Sequence, residues 1–97
     1  MSRRPDPVRQ LLRVLAASAG RSGCTPALTH VAEAPWATAT FVGGRHRLHA
    51  TADPAALSGW LATLPEAELT LDGWFVASCA AEVVGGHAVI ELLVLEA

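Results

Sequence analysis

The chain has 97 residues, 52% of them apolar and 16% charged, with a net charge of −2 and two cysteines. That length accommodates one hydrophobic core and no second one, so a single α+β domain is expected over residues 1–97, with 1–5 as a flexible N-terminus. The apolar content excludes a disordered chain, the net charge argues against a general nucleic-acid binder, and one cysteine pair makes no disulfide framework.

All seven basic residues are Arg; Lys, Asn and Tyr are absent and Ala occurs nineteen times, a bias expected of a GC-rich bacterial genome. The charge is uneven. Residues 1–47 hold every Arg against Asp6 and Glu33, and residues 48–97 hold seven acids and no Lys or Arg. If the halves interleave in one sheet, the dipole cancels internally; if not, it favours pairing of two copies.

In chain order, Ser2-Arg3-Arg4, Leu11-Leu12 and Ala17-Ser18-Ala19 loosely mimic a secretory signal, but Arg9 and Arg13 interrupt its apolar region, so no signal is expected. Asp6-Pro7 reads as a helix start, because Asp caps free N–H groups and Pro suits the first helical position. Val8, Leu11, Leu12, Leu15, Ala16 and Ala19 form one helical stripe, and Gly20 is the expected stop. Thr29 and Val31 suggest a short strand, with Ala34-Pro35 as a bend or edge. Trp36 to Val42 and Arg45 to Thr51 flank Gly43-Gly44, which predicts a two-residue hairpin turn there. Asp53-Pro54 repeats the helix start, Leu57, Trp60, Leu61 and Leu64 repeat the stripe, and Pro65 ends it. Trp74 to Val84 and His87 to Glu96 flank Gly85-Gly86 in a second hairpin. Strict alternation puts Phe75, Ala77, Cys79, Ala81, Val83, Ala88, Ile90, Leu92 and Val94 on its core face.

The fold class that follows is an α+β two-layer sandwich of order α-β-β-α-β-β, with an antiparallel sheet of four to five strands and both helices on one face. Each half has an Asp-Pro helix start, a leucine stripe and a Val-Gly-Gly hairpin, the pattern that an αββ duplication produces; chance produces it too, since caps and turns draw on few residue types. No apolar stretch approaches the ~20 residues of a membrane span, and reduced cysteines in a cytoplasmic protein are expected.

Two surfaces are candidates for function. Arg45, Arg47 and His49 alternate on one strand, with Thr40 and Trp36 beside them by the predicted register. Forked donors, hydroxyls and a stacking ring suit an anion or a nucleic-acid strand, although a solvated outer face is the plainer explanation. Trp74, Val76, Val89, Leu93 and Leu95 make the reverse face of the second hairpin half apolar, which suits an interface. His46-x-x-His49 does not make a metal site, because on a strand the two rings point to opposite faces; a site would need a bulge plus His30 or Glu33. Cys79 reads as an inert buried thiol, and no phosphate-cradling loop or nucleophile elbow occurs. The expectation is a non-enzymatic domain with no cofactor and no metal, which forms a homodimer through the outer sheet face. The alternative is an anionic-ligand module at Arg45, Arg47 and His49, with nucleic acid the weaker case; a small enzyme with a cavity between helices and sheet ranks third.

Overall fold

The computed structural model describes residues 6–97; the expectation for residues 1–5 lies outside them. The order is α1 (Pro7–Arg21), β1 (Ala27–Ala37), β2 (Val42–Thr51), α2 (Pro54–Thr63) with a 3-10 turn at Leu64–Glu66, β3 (Trp74–Val84) and β4 (His87–Glu96). The strands form one antiparallel sheet in the order β1-β2-β4-β3. This is the expected two-layer α+β arrangement, with four strands among the described residues.

Both helices start as their sequences dictate. The Asp6 carboxylate accepts from the Val8 N–H at 2.9 Å, and Asp53 accepts from Ala56 N–H at 3.1 Å. α1 runs one residue past Gly20, to Arg21, and its closing turn runs through Gly23. There Cys24 N–H donates to the Ala19 carbonyl and Gly23 N–H to that of Gly20, with Gly23 at φ +76°. This paired closure requires a left-handed residue, which Gly supplies without strain. It also turns Cys24 into the core, where it is buried.

The core lies between the helices and one sheet face: Leu11, Leu15 and Ala19 of α1, Leu57 and Trp60 of α2, Leu48 and Ala50 of β2, and Ala88, Ile90, Leu92 and Val94 of β4. Polar residues enter it with partners, Ser18 and Gln10 among them. The Trp60 indole N–H donates to Ser18 Oγ at 3.1 Å and ties the two helices together. The Gln10 amide donates to the Asp72 carbonyl and accepts from the Asp72 N–H, clamping the turn before β3 onto α1.

The first hairpin differs from the expected one. Its turn is Thr38–Phe41, closed by Thr38 N–H to the Phe41 carbonyl at 2.8 Å and by Thr38 Oγ1 accepting from Phe41 N–H at 3.0 Å. Gly43 and Gly44 lie inside β2, paired with Trp36 and Pro35. A Cβ on Gly43 would overlap the Val94 backbone carbonyl, so this glycine serves close strand approach, not a turn. The second hairpin has the expected register, Val84 with His87, Glu82 with Val89 and Ala80 with Glu91. Gly85 and Gly86 sit at φ +60° and +88°, the pattern of a type I′ turn.

Each edge strand carries a bulge, at Val31 in β1 and at Ala77 in β3. One unpaired residue reverses the inward–outward alternation beyond it. In β3 the consequence is a correction: Trp74 and Val76 face the helices and pack on the core, while Phe75 turns outward.

Candidate functional site

The sheet face away from the helices has no element packed over it among the described residues. On β2 it presents Arg45, Arg47 and His49, as expected. β4 lies alongside and presents Val89, Glu91 and Leu93, with Arg47 opposite Glu91 and Arg45 opposite Leu93. The Arg47 guanidinium grips one Glu91 oxygen through Nη2 at 2.8 Å and Nε at 3.1 Å. Both side chains are more than half exposed, so the pair adds at most about 1 kcal/mol to stability; its local effect is to neutralise half of the cationic strand face. Arg45 on β2 and Glu82 on β3 have no ion-pair partner among the described residues. The His49 and His87 rings lie 4.8 Å apart on the same face.

The other residues expected here divide. Trp36 lies across from Gly43 on the outward side of β1, half-buried. Thr40 is in the Thr38–Phe41 turn and off the strand face. Val89 and Leu93 are outward and half-buried. Leu95 is outward by register but only 4% exposed, with Phe75 opposite it and Phe41 edge-on to Phe75 at 5.8 Å. Trp74 and Val76 are removed from this surface by the bulge at Ala77.

No family model, curated protein or solved structure matches this chain. Its site chemistry therefore rests on its own residues.

A second cluster lies on the helix-covered side, where β1 meets β2. His46 is 2% exposed, in the interior strand β2. Its Nδ1 lies 3.0 Å from His30 Nε2 and 4.0 Å from the Glu33 carboxylate. Burial pushes the His46 pKa down, with a smaller contribution from His30, while Glu33 and Asp6 pull it up. His46 and His49 face opposite ways, as strand geometry demands. Sequence reasoning named the missing requirement, a bulge with His30 or Glu33, but nothing in the sequence places a bulge at Val31.

A groove of about 430 Å³ between the Leu64–Thr70 segment and β3 is lined by Cys79 and Glu68 without a histidine. Burial raises the Cys79 thiol pKa, and that of Cys24, away from the thiolate form that nucleophilic chemistry needs. No helix among the described residues is long and apolar enough to cross a membrane.

Proposed function

We propose that this chain is a small, non-enzymatic bacterial interaction domain that forms a homodimer through its outer sheet face. The observation that carries the reading is the make-up of that face: half-buried Val89 and Leu93 on the central strand β4, with unpaired Arg45 on one side and Glu82 on the other. A two-fold axis parallel to the strands lays β2 of one copy over β4 of its partner. Arg45 and Arg47 then meet the partner's Leu93 and Glu91 and not a second pair of arginines. Four strands about 4.8 Å apart and ten residues long offer roughly 600 Å² before side-chain relief, close to the ~800 Å² per partner of a standard interface. The unpaired thiols Cys24 and Cys79 fit a reducing, cytoplasmic setting.

The alternative occupant of the same face is an anionic ligand held by Arg45, Arg47 and His49. The engagement of Arg47 by Glu91, and a second carboxylate on the same face, Glu82 of β3, weigh against it.

Light scattering at several hundred micromolar tests the reading. A particle of twice the 10.1 kDa chain mass is expected, and Leu93→Asp yields a monomer with unchanged circular dichroism. A wild-type monomer at that concentration overturns the dimer, and salt-sensitive binding of an anionic oligomer by that monomer moves the assignment to the alternative.

A further inference from the structure

An ordinary strand sends residues i and i+3 to opposite faces. The bulge at Val31 breaks this rule, so that His30 and Glu33 both face the helix side, opposite Leu48 and His46 of β2. Three donor groups of two chemical kinds thus converge from adjacent strands: one donor atom of each of His30, Glu33 and His46 lies within 4.8 Å of the other two. Gly44 of β2, opposite Pro35, borders the cluster. A Cβ there would sit 3.4 Å from His46 Nε2 and 3.6 Å from a Glu33 oxygen.

We propose that His30, Glu33 and His46 bind a divalent transition-metal ion of the zinc class. Bonds of about 2.0–2.1 Å from imidazole nitrogen to zinc place neighbouring donors roughly 3.3 Å apart in a tetrahedral site. The two imidazole nitrogens, at 3.0 Å, are already close to that spacing. Glu33, 53% exposed, places a carboxylate oxygen 4.0 Å from the same His46 nitrogen, about 0.7 Å beyond that spacing. In the metal-free pair one ring nitrogen donates to the other; in the bound form each ring carries its hydrogen on its other nitrogen, so both facing nitrogens offer lone pairs and no net proton is released. Two imidazoles and one carboxylate suit zinc, cobalt, nickel or copper, and not calcium or magnesium, which take oxygen donors. Three protein ligands leave a fourth position to water, on the side where Glu33 meets solvent.

The test uses the full chain after chelator treatment, with Zn²⁺ followed by calorimetry and thermal melting, and Co²⁺ by its visible absorption. One equivalent is expected, with a raised melting temperature and cobalt bands in the visible. His30→Ala and Glu33→Gln each weaken binding by more than about tenfold, the loss caused even by removing outer partners of metal ligands, while circular dichroism is unchanged. These two variants carry the test if His46→Ala does not fold. The His49→Ala/His87→Ala pair removes the other close histidines, on the opposite face, and keeps full binding. A folded wild-type chain with no heat and no cobalt bands at 100 µM metal, about a hundredfold above a micromolar Kd, overturns the site. So does equal binding by His30→Ala and wild type, or loss of binding in the His49/His87 variant.

Discussion

Gly43 and Gly59 carry opposite costs. Gly43→Ala drives a methyl into the Val94 carbonyl and is expected to destabilise the fold by about 3 kcal/mol, the upper end for overpacking. Gly59 lies exposed in α2 with nothing within 4 Å of a Cβ, so Gly59→Ala is expected to stabilise by about 1 kcal/mol through helix propensity. Urea midpoints of both variants check the pair. At His46 the sign follows from burial. Its folded pKa lies below the ordinary value of about 6.5 and the unfolded chain takes the proton first. The stability it contributes is present above about pH 6.5 and is lost as pH falls through the folded value. In a chelating buffer, the loss of stability between pH 7 and pH 5 is therefore expected to be shallower in His46→Gln than in wild type.

Elements whose signals are local were legible in the sequence. Asp-Pro caps and apolar stripes placed both helices, and β3 and β4 have the expected limits, because a capping carboxylate or a helical period acts within a few residues. Gly-Gly was ambiguous because glycine answers two demands. At Gly85-Gly86 it supplies positive φ, and at Gly43 it permits a neighbouring strand to approach, a contact made with a residue 51 positions away. Gly85→Asn is accordingly expected to hold or raise stability, since Asn-Gly is a favoured type I′ pair, whereas Gly43→Asn lowers the melting temperature sharply. The bulges were illegible for a related reason: Val31 and Ala77 are ordinary strand residues, and only pairing with the next strand reveals the extra one. That single omission moved Trp74 and Val76 off the outer face and hid the convergence of His30, Glu33 and His46.

For the whole molecule, the uneven charge resolves as interleaving. The sheet sets β2, from the basic half, against β4, from the acidic half, and Arg47 meets Glu91 across that seam. The outer surface keeps Arg45 and Glu82 on opposite sides of an apolar centre. An Arg45→Glu change is expected to weaken the proposed dimer and to reverse its dependence on ionic strength, measurable by sedimentation at two salt concentrations, because the steering charge has changed sign.

The twin bulges have one more consequence. β1 and β3 are each 11 residues long, β2 and β4 each 10, and the edge strands bulge 46 residues apart. By register, His30, Glu33 and His46 in the first half correspond to Val76, Cys79 and Leu92 in the second. The same backbone offset thus frames two niches, one polar and one greasy. Shape and chemistry are thus separable in this sheet: the same strand offset packs apolar groups against the core in the second half and gathers three donor-bearing side chains in the first.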